Sequence, residues 1–554
     1  MRTKVPPRLI AFLAAVAITS SIASCTRKAT RVEDGNRHQV LHVGNGGDVA
    51  DLDPHTAIGA LEGDVMGSLF EPLIQLDPFD LHPVAGAAAS WDVSPDGRIY
   101  TFHLRPDSKW SNGDAVRADD WVYSFKRLIT PALAAPFLNY ATLVEGAEAY
   151  GAGKTTDFST VGVRALDPLT LEIRLLNPTP YFPAVLNFWP LYPVHRATIE
   201  KFDAFARPGQ AWTRAGNLVG NGPFVLKEWI ANDHITVAAN PNYWNHDKVK
   251  LREIRFYAVD NIDTEERMFR AGQLHVTSNV PVTRIEWYRK EHPDLLHLTP
   301  ILGTFYLSLN TRNAPLNDAR VRRALALAID RQSIVDTVLR SGERPAFAFT
   351  PDGMGDYPVG AKLKEDANEA RRLLAEAGFP GGRGFPKLDV IFNTSATYGA
   401  LLEAIQFMWK RELGIESELH NMEWKVYLNT VHNGNYQVAR LGWEAVVLDP
   451  HDFLEQFRSN SSNNWTGWKN PEYDRILAES ERTGSNAERY KQLQQLDVIL
   501  EREMPVIPVF HNVHRSLVNP VVRGWPDNAI NIKIFQQTNL QNVDGRKSSV
   551  EGLK

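Results

Sequence analysis

The sequence predicts a mixed α/β protein of more than one domain. Three observations predict it. Short alternating runs and helical periods succeed one another along the chain. Its 554 residues exceed what one core organises, at roughly 150 residues per domain. Hydrophobic residues make up 43% and charged residues 23%, a globular balance that excludes collagen-like, disordered and disulfide-scaffold classes. Lys and Arg number 60 against 65 Asp and Glu, a net charge of −5. No basic excess is available to neutralise a phosphate backbone, so no nucleic-acid partner is expected.

The N-terminus gives the first specific signal. Arg2, Lys4 and Arg8 precede an apolar stretch from Leu9 to Ile18, and small residues lead to Ser24. That is the order of a secretory signal, 1–24, and its apolar part is too short to span a bilayer comfortably. Cys25 is the single cysteine of the chain and stands where cleavage would expose it. This resembles a bacterial lipoprotein box, in which the thiol is alkylated by diacylglycerol and the chain is cut before it. The alternative is an ordinary signal peptide with an incidental cysteine. One cysteine also means no internal disulfide, so burial must supply the stability. No later run reaches transmembrane length, so the body is expected to be soluble and lipid-tethered.

The elements follow in order. Residues 40–43 read as a strand before the turn-rich 44–48. Residues 64–76 read as a helix, with Val65, Leu69, Leu73 and Leu76 on one stripe. An alternating strand at 100–104 follows the Pro95-Asp96-Gly97 turn. Residues 119–128 are helical, and 169–175, 235–238 and 253–258 are strands. Residues 317–340 form the clearest helix, with Asn317 or Asp318 as its cap. A helix at 366–377 is closed by Gly378, and another at 398–413 ends before Gly414. Strands at 388–392 and 438–441 belong to a second α/β unit. The polar tail after Asn542 is expected to fray.

Catalytic and cofactor signals are negative. Gly151-Ala152-Gly153-Lys154-Thr155 is half a phosphate loop, but Glu148 stands where its opening glycine is needed and would repel phosphate. No Gly-x-Ser-x-Gly elbow occurs. His511 and His514 lack the Glu of a metalloprotease helix. The 16 His form no visible metal-binding cluster. No catalytic residue, cofactor or metal is expected. The 14 Trp are a heavy load. Trp424, Trp443, Trp465 and Trp468 sit in polar, Gly- and Asn-rich surroundings near predicted strand ends. Each could be core, but together they suit a cleft for flexible organic ligands.

The chain also carries an ordered series of motifs. They are Leu52-Asp53-Pro54-His55, Leu69-Phe70-Glu71, Thr101-Phe102-His103-Leu104-Arg105, Lys109-Trp110-Ser111-Asn112-Gly113, Asn221-Gly222-Pro223-Phe224, Asp318-Ala319-Arg320-Val321-Arg322, Asn393-Thr394-Ser395, Glu423-Trp424-Lys425 and Val438-Ala439-Arg440-Leu441-Gly442-Trp443. In this order and spacing they resemble the bacterial extracellular solute-binding proteins of family 5, in particular the oligopeptide-binding branch of ABC importers. The resemblance covers nearly all of the chain after the signal. It implies a periplasmic-binding-protein-like, two-lobed (Venus-flytrap) α/β fold of the cluster with an extra inserted domain. After a tether at 25–36, the first lobe would comprise 37–72, 194–297 and 514–554. The inserted domain would span 73–193 and the second lobe 298–513. The implied state is a monomer in the periplasm or at the cell surface. It is held to the membrane only by its lipid and hands peptides to ABC permease subunits.

The resemblance further implies that a peptide lies extended and pairs with backbone as an added strand, so that side-chain identity is weakly read. Gly442 and Trp443 match the pairing segment, Arg440 an arginine near the ligand carboxylate, and Trp424 a pocket wall. Asn393 belongs to the same set, and Tyr398 matches a pocket histidine. Val446 stands where relatives hold the peptide ammonium with an Asp, and Ile58 matches a second acidic position. Val431 replaces an arginine, and Gly303 and Glu444 replace two disulfide-forming cysteines. Glu444 and Asp449 are the nearest candidates to take over the ammonium. The fold and transport role carry over, while the classical specificity is in doubt. The alternatives are another solute (a murein-derived or N-blocked peptide, a sugar, a metal complex) or a secreted hydrolase with a Trp-rich cleft.

Overall fold

The computed structural model describes residues 29–541. The signal segment, Cys25 and the tail after Asn542 lie outside the described residues. Within the stretch expected as a tether, the chain is helical from Arg31 on. Arg31–His38 is a helix opened by a capping box, in which Thr30 accepts from the Glu33 N–H and Glu33 from the Thr30 N–H. Val32 is buried and its N–H bonds Gly272 O at 3.0 Å. With one apolar side chain in eight residues, this helix has no stripe for periodicity to find.

Three sheets organise the rest. The first runs Val40–Gly44, Glu253–Tyr257, His234–Ala239, Phe224–Ile230, parallel at its first pairing and antiparallel after it. Its core takes Leu41, Val237 and Phe256, with Val65 and Leu69 from the Ala60–Leu69 helix. The second, wholly antiparallel, runs Ala88–Val93, Ile99–Leu104, Thr170–Arg174, Val163–Asp167. It has its own core with Phe102, Trp110 and Trp121, the last from the Ala118–Leu128 helix. Gly97, at φ 71°, makes the 94–99 turn in the left-handed region that favours glycine.

The third sheet has six strands in the order Arg344–Pro345, Val506–Leu517, Leu296–Leu309, Val438–Glu444, Leu388–Asn393, Ser417–Met422. Alternation assigns its two faces. Phe305, Leu307, Val390 and Val438 join the Ala319–Leu327 and Ala396–Leu413 helices. Tyr306, Ile391, Ala439 and Leu441 join Trp424–His432, Pro471–Ser480 and Asn486–Glu503. Its two longest strands, Leu296–Leu309 and Val506–Leu517, run continuously through 297/298 and 513/514, where the chain was expected to divide. Their ladder covers 296–300 and 304–308 and is interrupted between Pro300 and Thr304. Among the described residues no helix is long and apolar enough to cross a membrane.

Two helices differ from expectation. The 64–76 stripe is a helix, Ala60–Leu69, followed by a strand, Ile74–Leu76, paired with Pro83–Ala85. Pro72 ends the helical option, while all four stripe residues are buried and imitate one face. The 317–340 helix is broken into Ala319–Leu327, Arg331–Ser333 and a wider π turn at Ile334–Leu339. The break is made by Asp330, which caps the Ser333 N–H at 2.9 Å, and by the buried Arg331 guanidinium, which donates to Ala326 O, Ile329 O and Pro508 O. Asp318 caps the first piece by accepting from Arg320 N–H.

Candidate functional site

The Val438–Glu444 strand is the centre of the site. On one side it pairs with Leu296–Leu309 along its whole length, from Leu309 opposite Val438 to Gly303 opposite Glu444. On the other side Leu388–Asn393 pairs only with Val438 and Ala439. Past that point, among the described residues, no strand pairs with 440–444 on this side. A short backbone edge is left with Gly442 exposed, which is what an extended ligand needs. Gly303 and Glu444 stand directly opposite each other.

Arg440 sits where the neighbouring strand leaves. Its Nε donates to Asn393 Oδ1 at 2.6 Å, and Nη2 reaches the same oxygen. Its guanidinium carbon lies 4.2 Å from the centre of the Tyr398 ring and 5.7 Å from those of Trp424 and Tyr427. Among the described residues no carboxylate forms an ion pair with Arg440. Asn393 is placed by its strand end. Tyr398 is placed by the helix that Ser395 caps, and Trp424 by the helix that Glu423 caps, its carboxylate accepting from the Lys425 and Val426 N–H groups. Trp424 stacks on Tyr427 and remains 48% exposed. The four residues predicted on separate segments therefore converge, and Tyr427, not anticipated, is the floor beneath them.

The other end of the edge is built differently. Trp443 is half-buried, its Nε1–H 3.4 Å from Asp452 Oδ2. The Val446 N–H donates to the same oxygen at 2.9 Å, and its side chain packs on the core of the second sheet. Tyr140 donates to Asp452 Oδ1 at 3.1 Å. Burial pushes the Asp452 carboxyl up to about 6. Of the two candidate substitutes, only Asp449 is already neutralised by a cation. Glu444 accepts from Asn512, and Asp449 is in a buried pair with Arg489, 2.5 Å from its Nη2. Around Tyr140 lie Phe137, Phe188 and Trp189, with ring centres 4.4–6.0 Å apart. The Trp189 Nε1–H donates to Ala57 O, beside Ile58, which is 72% exposed. This aromatic group was not foreseen, because its two pairs, Phe137/Tyr140 and Phe188/Trp189, are distant from each other in sequence and individually ordinary.

Other sequence signals resolve into structure. Trp468 is buried against Tyr473, and Trp465 packs on His432, so neither joins the Arg440 group. Val431 is wholly buried in its helix. His511 is buried and His514 half-buried, and desolvation depresses their imidazoles to about 4 and about 3.

Comparison with known proteins gives concordant results. Residues 82–465 match the family described as "Bacterial extracellular solute-binding proteins, family 5 Middle". The chain is 37% identical over 500 residues to the periplasmic oligopeptide-binding protein OppA of Escherichia coli, covering 88% of this chain and 90% of that one. It is 34% identical to the E. coli periplasmic murein peptide-binding protein MppA, over 86% of this chain and 89% of that one. The structure of Haemophilus influenzae OppA in complex with RPPGFSPFR superposes with a TM-score of 0.78 at 34% identity, covering 91% and 99% of the two chains. The fold is thus the two-lobed α/β architecture of these binding proteins, with its extra domain.

Proposed function

Because this chain belongs to the bacterial extracellular solute-binding proteins of family 5, whose members bind solutes and are not enzymes, we propose that it is the peptide receptor of an ABC importer. The ligand is a short extended peptide added to the free edge at 440–444. Its backbone pairs with the strand around Gly442, Trp443 walls the path, and Trp424 and Tyr398 flank the carboxyl end. The observation that carries the reading is the unpaired edge bordered by Arg440, a half-buried cation with no carboxylate partner among the described residues. A ligand carboxylate would complete it. The family's division into a first lobe, an inserted domain at 73–193 and a second lobe belongs to the same reading. Closure of the lobes would follow from a ligand binding both better than either alone.

At the amino end, Val446 and Ile58 offer no charge to an ammonium, and burying an ammonium without a counter-charge is costly. The ligand nitrogen at this point is therefore an amide, as in an N-blocked peptide or one whose chain continues. Anchoring through lipidated Cys25 after cleavage of 1–24 completes the proposal. The E. coli relatives OppA and MppA are periplasmic, which supports export.

Native mass spectrometry of the purified mature protein tests the ligand class. Masses of one to several amino-acid residues should be released on denaturation, and a sugar or a metal complex in their place would refute it. Palmitate incorporation should vanish in Cys25→Ser, and label that persists would refute the anchor.

A further inference from the structure

A cavity of about 490 Å³ lies between the inserted domain and the second lobe. Tyr140 and Tyr181 line it from one side and residues between 447 and 489 from the other. It begins where the strand edge ends. Tyr140 and Asp452 are both in its wall, and Asp452 is bonded to Trp443 and to the Val446 N–H.

The charges of the wall do not balance. Arg489 is paired with Asp449. His451 lies 3.0 Å from Glu481, and Arg458 reaches the same Glu481 oxygen. These contacts engage both arginines and the histidine. Besides the exposed Glu148, two carboxylates of the wall remain without a cation at hydrogen-bond distance among the described residues. Asp452 accepts only from neutral donors. Glu455 has Ser461 Oγ at 3.4 Å and Arg458 Nε at 4.0 Å. Gln456, 6% exposed, lines the same cavity. Its Nε2–H donates to Asp452 O at 2.9 Å, while its Oε1 is buried without a partner. Three acceptors in excess, two of them anionic, therefore stand on the short 451–457 segment. A half-open wall of this kind selects a donor-rich cation.

We propose that this cavity is a further ligand subsite, which receives a basic side chain, guanidinium or ammonium, at the amino end of a bound peptide. The proposal rests on the reading of the 440–444 edge as the peptide site, with the ligand carboxylate at Arg440 and its chain continuing past Val446. It also explains why the position facing the edge needs no carboxylate: the anionic groups lie one residue further out.

Calorimetric titration tests it with one N-acetylated core peptide, alone and preceded by Arg, citrulline, Ala or Glu. On the wild type, the Arg-led peptide should bind at least tenfold tighter than the Ala- and citrulline-led ones, with the Glu-led one weakest. Citrulline keeps the shape of arginine without its charge, so this result needs no variant. Glu455→Gln should reduce the Arg advantage below threefold and leave the core peptide unchanged. Equal binding of Arg- and citrulline-led peptides, or an Arg advantage that survives Glu455→Gln, overturns the subsite while leaving the peptide receptor intact. Failure of the core and of every led peptide to bind overturns the receptor reading, and the subsite with it.

Discussion

Two arginines, Arg127 and Arg440, stand in regions that look alike in sequence, each set among aromatic residues. Their surroundings differ completely. Arg127, on the Ala118–Leu128 helix, is fully buried. It donates to both Asp53 oxygens at 2.9 and 2.5 Å and to Ala204 O, and its Nη1 lies 2.8 Å from His55 Nδ1. Its charge and fork of donors are satisfied within the chain, and they tie the Ala118–Leu128 helix to Asp53 and to the Ala204 backbone. Arg440 has an amide oxygen, three rings and, among the described residues, no anion. A cation that the fold satisfies holds the fold, and a cation that it leaves half-buried and unsatisfied awaits something else.

The largest effect expected from this contrast is on folding. Arg127→Met leaves Asp53 buried without its partner and should cost about 3–5 kcal/mol of stability, read by urea denaturation. A loss below 1 kcal/mol would mean that the joint is not held by this pair. Arg440→Ala should leave stability nearly unchanged. It should weaken a peptide acid by about 2 kcal/mol, roughly thirtyfold, and the corresponding peptide amide by less than threefold. Equal losses for acid and amide, or a fall in stability like that of Arg127→Met, would erase the distinction.

A smaller effect concerns pH. Burial, then the neighbouring Arg127, holds the His55 imidazole down at about 3, against an ordinary 6.5. The unfolded chain binds this proton below 6.5 and the folded one does not until about 3. The stabilisation from neutral His55 is therefore complete above pH 6.5 and falls as pH drops through that window, by up to about 1.4 kcal/mol per pH unit. For Asp53, burial would raise the carboxyl, but Arg127 outweighs it and holds the group below its ordinary value, so its own loss comes only at still lower pH. His55→Gln should flatten the decline between pH 6.5 and 4, and an unchanged slope would assign the titration to other groups.

Much of this was legible in the chain, and the reasons are local. The strands at 40–44, 99–104 and 388–393 and the helix ending at Gly414 announce themselves by alternation or by a cap. The breaks in 317–340 do not, because they depend on the Arg331 guanidinium reaching the Pro508 carbonyl of a distant strand as well as two local ones. The convergence of Asn393, Tyr398, Trp424 and Arg440 was legible through the motif series alone, since no periodicity brings four segments to one strand end. Asp452 was invisible for the opposite reason. It is one carboxylate among 65 acidic residues, and its character comes from Tyr140, which lies more than 300 positions earlier.

The interrupted ladder between the Leu296–Leu309 and Val506–Leu517 strands has a mechanical meaning. A two-stranded ribbon resists flexure through its rungs, and between Pro300 and Thr304 rungs are missing. Curvature concentrates at such a notch, as it does in a scored beam. Bending of this ribbon is therefore expected at its two register shifts, 300/304 and 305/306, rather than along the evenly paired spans.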